Sequence, residues 1–113
     1  MLGAAGLLDG YRATTHWAFA DLLPRYGAIA TDARVVIDRD RITGAGVTAG
    51  IEAALAIVEA LAGAAIAREI ALQIEYDPAP TAGGGHPRSA DPTQVAMLRV
   101  RNSGGSAIIA ARS

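Results

Sequence analysis

Tyr11-Arg12-Ala13-Thr14-Thr15-His16-Trp17 and, downstream of it, Arg41-Ile42-Thr43-Gly44-Ala45-Gly46-Val47-Thr48-Ala49-Gly50-Ile51-Glu52-Ala53-Ala54-Leu55 decide the reading of this chain. In the first stretch, the β-branched pair Thr14 and Thr15 favours a short strand over Arg12 to Thr15, with His16 at its end. The second leaves a strand, turns at Gly44-Ala45-Gly46 and enters a helix. Outward from it, Arg34-Val35-Val36-Ile37-Asp38 and Arg41-Ile42-Thr43 are the clearest strand signals, and Asp38-Arg39-Asp40 between them is a polar turn suited to a β-hairpin. Thr48 is the predicted N-cap of a helix over Ala49 to Leu61. There Ile51, Leu55, Val58 and Ala62 form one apolar stripe, while Ile57 and Leu61 populate a second. Apolar side chains around most of the helix predict cover on more than one side.

Gly63 separates that helix from a second, about Ala65 to Glu75, with Ile66, Ile70 and Ile74 at steps of four. Toward the N-terminus, Leu2, Ala5 and Leu8 recur at helical spacing, so Met1 to Leu8 is predicted to end a helix that Asp9-Gly10 stops. Ala18 to Tyr26 reads as a brief helix disturbed by Pro24 and closed by Gly27. From Asp77 to Pro87 the chain is rich in breakers and reads as a surface tail or linker. A short helix over Thr93 to Arg101 is expected, with Asn102 to Ser113 frayed. The division is therefore residues 1–77 as the folded part and 78–113 as a Pro/Gly-rich tail.

At 113 residues the chain holds one modest core at most. It is 51% hydrophobic and 19% charged with mean hydropathy +0.28, too apolar for disorder. Aromatics supply only 4%, which predicts a core of small and aliphatic side chains and modest stability. The net charge is -1 and all ten cations are scattered arginines, which argues against a nucleic-acid or anionic-membrane surface. No stretch approaches the length of a membrane helix, and a cytoplasmic location is the default. The absence of cysteine excludes disulfides, thiolate metal sites and a thiol nucleophile within these residues.

His16 is the residue singled out for reactivity, because an imidazole holds or donates a proton near neutral pH. A histidine bonding a nearby backbone group is the plainer reading. Thr14 and Thr15 present hydroxyls to a ligand or simply form sheet, and Trp17 lines a pocket or packs in the interior. Gly44-Ala45-Gly46-Val47-Thr48 before a helix invites comparison with phosphate loops. It lacks the third glycine and any Gly-Lys-Ser/Thr, so it reads as a structural turn. Asp38, Asp40, Glu52, Glu59 and Glu69 compose no recognisable acid/base pair and are read as solvated. His86 sits in the tail, and two histidines without matched spacing predict no metal site.

Gly6-Leu7-Leu8-Asp9-Gly10-Tyr11-Arg12-Ala13-Thr14-Thr15-His16-Trp17, Asp38-Arg39-Asp40-Arg41-Ile42-Thr43-Gly44 and Ala54-Leu55-Ala56-Ile57-Val58-Glu59-Ala60-Leu61 resemble the DJ-1/PfpI superfamily. Arg41 to Ile51 and Leu72-Gln73-Ile74-Glu75-Tyr76-Asp77-Pro78-Ala79-Pro80 are most similar to its isonitrile (isocyanide) hydratases. The resemblance runs from about Gly3 to Asp77. It implies an α/β fold, the C-terminal part of a flavodoxin-like DJ-1/PfpI domain, with a β-hairpin and two packed helices. It also implies a small-molecule substrate, no metal or organic cofactor, no nucleic-acid or membrane partner, and a homodimeric parent. Such enzymes add water to an isonitrile to give an N-substituted formamide through a cysteine that lies upstream of the Thr-Thr-His segment. His16 would then be a pocket-wall residue, and the 44–48 loop would lie near the pocket. Since these residues include no cysteine, the expectation is a portion of a longer enzyme, inactive alone. Two alternatives remain: the DJ-1-like sensor domain of an AraC-type transcription regulator, and a non-catalytic association module.

Overall fold

The computed structural model of the chain describes residues 1–80 and 82–111, with side chains through residue 104 apart from residue 81. The elements, in order, are β1 (Arg12–Ala13), a 3-10 helix (Trp17–Tyr26), β2 (Ile29–Ala30), β3 (Val35–Asp38), β4 (Arg41–Gly44), α1 (Ala49–Ala62), α2 (Ala64–Gln73) and α3 (Pro92–Ala111). This α/β arrangement contains the expected hairpin and helix pair, together with a parallel pair, β1–β2, that no sequence pattern announced.

In the antiparallel hairpin, Val36 faces Thr43 and Asp38 faces Arg41. Val36 and Thr43 are buried, while Ile37 turns outward, as the two-residue period of a strand requires. Arg39 in the turn has φ 54°, a left-handed conformation uncommon outside glycine. Its guanidinium is tied to Asp38 and to the Gly10 carbonyl, the latter at 2.8 Å.

The parallel pair is two residues long. The amides of Ile29 and Thr31 donate to the carbonyls of Tyr11 and Ala13, at 2.8 and 2.9 Å. The amides on the opposite edge of β1 meet side chains of the hairpin instead of a third strand. Arg12 N donates to Asp38 Oδ2 at 2.7 Å and Thr14 N to Thr43 Oγ1 at 3.0 Å. The loop leading into β1 is fixed by the same hairpin. The Tyr11 ring lies 3.8 Å from the Arg39 guanidinium carbon and 4.7 Å from that of Arg41. Its hydroxyl donates to Asp40 at 2.8 Å, and Arg41 Nε donates to the Leu7 carbonyl at 2.7 Å.

Leu8, Ala13, Leu23 and Ala28 make the buried cluster under β1. The small core follows from the composition and from the shape, which is only 18 Å deep against 41 and 37 Å. Helix α1 packs on α2 and on β4, where a Cβ on Gly44 would approach the Ala53 methyl to 3.2 Å, so a side chain at this close crossing would require α1 to give by a few tenths of an ångström. Both helices nevertheless leave large apolar side chains on the surface, including Ile57, Leu61, Ile66, Leu72 and Ile74.

Three sequence expectations differ from the structure. Met1 to Leu8 forms a series of turns and not a helix end, because Gly6 takes φ 75° and breaks the helical path. Thr48 has helical backbone angles and makes no capping hydrogen bond; its hydroxyl accepts from Arg34 Nη2 at 3.3 Å. Helix α3 runs ten residues past the expected Arg101 end, to Ala111. It starts at Asp91, whose Oδ1 accepts the Thr93 amide at 2.7 Å, with Pro92 in the first helical position. Asn102 and Ser103, expected to belong to a frayed end, bond back to the carbonyls of Leu98 and Val100 within the helix.

Replacing Thr43 by valine keeps the side-chain shape but leaves the buried Thr14 amide without its acceptor. Urea denaturation of Thr43→Val is expected to show a loss of about 1–3 kcal/mol, the cost of an orphaned buried donor. The change Thr31→Val, at a half-buried residue, should cost less.

Candidate functional site

Beyond the end of β1 the structure opens into a cleft of about 1340 Å³. One side is formed by Thr14 to Trp17, continuing β1 into the 3-10 helix. A second is the Ala45–Thr48 turn, which the Gly44 crossing presses against the start of α1. Residues 30–34 after β2 and residues 78–80 and 83–88 after α2 complete it.

His16 stands where the strand gives way to the 3-10 helix, and its Nδ1 accepts the Ala18 amide at 3.2 Å, as an N-cap does. The ring centroid lies 5.4 Å from that of Trp17 and 5.8 Å from that of Phe19, which hold its plane. With Nδ1 engaged as an acceptor, the hydrogen of the neutral imidazole is on Nε2. The nitrogen left for a ligand is therefore a hydrogen-bond donor. A neutral His16 in this setting can bond an acceptor atom or developing negative charge, but it offers no lone pair for general-base work.

Two pairs of charged side chains meet across the cleft. Arg34 Nε donates to Glu52 Oε2 at 2.7 Å, and the Tyr76 hydroxyl donates to Glu52 Oε1 at 2.5 Å. The Arg34 and Tyr76 hydrogen bonds together hold the Glu52 carboxyl below the usual glutamate range. Arg88 Nη1 donates to Asp32 Oδ2 at 2.5 Å, and His86 Nε2 faces Asp32 Oδ1 at 3.3 Å. The Arg88 bond is the main cause of a lowered Asp32 carboxyl. Arg99 lies over the Trp17 ring at 5.4 Å. Arg99 also lines the cleft and pairs with no other charge there, its nearest carboxylate being Asp21 at 4.0 Å outside the lining, and among the described residues no group of three His, Cys, Asp or Glu side chains could hold a metal ion.

The site thus gathers Thr14, Thr15, His16, Trp17 and the 45–48 turn, all of which the sequence raised as candidates. It also includes His86, read from sequence as a tail residue, and Glu52, read as a solvated carboxylate. Asp38 and Asp40, read the same way, instead hold the Arg12 amide and the Tyr11 hydroxyl away from the cleft. Asp32, Arg34 and Arg88 carried no signal, since their pairings span 18 to 56 residues and follow no short motif.

Glu52 gives a pH test with a defined sign. It ionises more readily folded than unfolded, so its contribution to stability is complete above the unfolded value, near 4.5, and is lost as the pH falls through the lower folded value. Urea midpoints measured down the acid limb are expected to fall less steeply for Glu52→Gln than for the parent chain.

Comparison with known proteins agrees with this architecture. The DJ-1/PfpI family profile matches residues 1–60. The isonitrile hydratase of Pseudomonas putida is 50% identical over 101 residues, 89% of this chain and 44% of that enzyme. The HTH-type transcriptional regulator CdhR of Pseudomonas aeruginosa is 39% identical over 77 residues, 65% of this chain and 22% of the regulator. The crystal structure of a THiJ/PfpI family protein from Pseudomonas syringae superposes with a TM-score of 0.90 at 43% identity, covering 98% of this chain and 46% of that one. The chain thus spans less than half the length of the relatives it matches. The structural likeness extends through the residues after Asp77, where the sequence resemblance had ended. With its strand-end histidine, hairpin and helix pair in this arrangement, the chain belongs to the DJ-1/PfpI family.

Proposed function

We propose that this chain forms the ligand-binding part of an isonitrile-hydratase-type domain, which adds water across an isonitrile to give an N-substituted formamide. The observation that carries the reading is a mainly apolar cleft whose two carboxylates, Asp32 and Glu52, are each held by a guanidinium and where His16 offers its Nε2–H. Such a site suits a neutral, largely apolar molecule with one acceptor atom, as isonitriles and formamides are. The 50% identity with the Pseudomonas putida isonitrile hydratase supports the same reading.

The chain has no cysteine, so in this reading the nucleophile comes from outside these 113 residues, and the chain alone binds without turning over. The role of the chain is to hold the apolar substituent and to offer His16 to the terminal carbon of the isonitrile, which carries the lone pair, or to the oxygen that water delivers. The apolar side chains left outside α1 and α2 support a further part of the fold lying against them. A homodimeric, cytoplasmic parent belongs to the same proposal.

A second reading is favoured by the 39% identity with the regulator CdhR: a ligand-sensing domain without catalysis. A chimaera separates the two. The remainder of the Pseudomonas putida enzyme, joined to this chain, is expected to hydrate isonitriles, whereas the 113-residue chain shows no turnover. In that chimaera His16→Asn, which keeps a capping acceptor but removes the Nε2 donor, should lower kcat/KM about 10²-fold, the scale of losing one donor aimed at developing charge. A folded chimaera that binds formamides without turnover would favour the sensor, and turnover by the isolated chain would sink the first reading.

A further inference from the structure

The wall formed by residues 83–88 is attached to the body of the protein in an unusual way. Gly83 and Gly84, at φ 64° and 70°, lead into it with backbone that glycine alone adopts readily. From His86 the chain closes on itself: the amides of Ser89 and Ala90 both donate to the His86 carbonyl at 2.9 Å, and Arg88 N donates to His86 Nδ1 at 3.1 Å. His86 through Ala90 is therefore a self-contained turn. Among the described residues, the hydrogen bonds and ion pairs that residues 83–90 make with the rest of the chain go to one side chain, Asp32, through His86 and Arg88. Asp32 follows β2 on the opposite side of the cleft and contributes to its lining itself. Its two oxygens divide the task, Oδ1 facing the imidazole and Oδ2 the guanidinium.

We propose that Asp32 is the positioning residue of this outer wall and thereby sets the size selectivity of the cleft. The inference builds on the neutral-ligand reading above. A small ligand reaching only His16 and Trp17 never touches residues 83–88, so holding them makes little difference to it. A ligand with a bulkier apolar substituent extends to Pro87 and the glycine backbone and gains contact only while Asp32 keeps them in place. Asp32 and Arg88 are each about two-thirds exposed, at 66% and 65%, so the tether is screened by salt. The wall is consequently the adjustable side of the cleft, facing a fixed side built on β1 and α1.

Trp17, the single tryptophan, lines the cleft and reports binding by its fluorescence. The test titrates the full 113-residue chain with N-methylformamide and N-benzylformamide. Asp32→Ala should raise the Kd for the benzyl ligand about tenfold, at the low end for losing an apolar pocket contact, and change that for the methyl ligand less than twofold. Added sodium chloride should move the parent chain in the same direction and leave Asp32→Ala unmoved, which loss of fold would not produce. Should Asp32→Ala fail to fold by circular dichroism, Asp32→Asn, isosteric and uncharged, is expected to give a smaller rise with the salt response abolished. An unchanged benzyl Kd, or an undiminished salt response in the variant, overturns the proposal. If the parent binds neither formamide but binds benzyl alcohol, with the same dependence on Asp32, the hydratase reading falls and this inference stands. If it binds none of them, both fall.

Discussion

The outer edge of β1 is the constraint on which the rest of this structure depends. A two-residue parallel pair has too few ladder bonds to be stable alone, and parallel strands ordinarily need neighbours on both sides. Here the missing neighbour is replaced by two side chains, the Asp38 carboxylate on the Arg12 amide and the Thr43 hydroxyl on the Thr14 amide. Both come from one hairpin, which also encloses the Tyr11 ring between Arg39 and Arg41. Strand β1 is thereby locked to β3 and β4 without belonging to their sheet. The position of Thr14, Thr15 and His16 follows, and with it the floor of the cleft.

Electrostatics then decide what the cleft can receive. Its carboxylates and guanidinium groups satisfy each other across elements far apart in sequence: Arg34 before β3 with Glu52 in α1, and Asp32 after β2 with Arg88 before α3. A cationic ligand would have to break such a pair to reach a carboxylate, while a neutral one meets a mainly apolar surface and the His16 donor. The same chemistry that stabilises the cleft favours uncharged molecules over cationic ones.

Much of the frame was legible in the sequence. The β-branched run Val35 to Ile37, the polar turn at Asp38 to Asp40 and the apolar stripes after Thr48 and Gly63 are local signals, and they marked the hairpin and both packed helices. Strand β2 was missed because Ile29–Ala30 is too short to show a period. It exists through its bonds to Tyr11 and Ala13 and not through propensity. The length of α3 was missed because the chain from Asn102 onward was expected to fray, whereas the side chains of Asn102 and Ser103 bond within the helix. For the site, His16 and the 45–48 turn stood out as residues, but the convergence of Asp32, Glu52, Tyr76 and His86 is tertiary. Breaker-rich composition marked His86 as tail, whereas the pairing with Asp32 brings it to the cleft.

The role assigned to this cleft rests on which nitrogen of His16 carries its hydrogen. Long-range ¹H–¹⁵N correlation spectra of the histidine rings, recorded at alkaline pH, observe this directly. The Nε2–H tautomer, with Nδ1 shifted as an acceptor of the Ala18 amide, is the predicted result. A neutral ring protonated on Nδ1 would contradict it: the cap would be broken, Nε2 would carry a free lone pair, and His16 would be a base in the cleft instead of a donor.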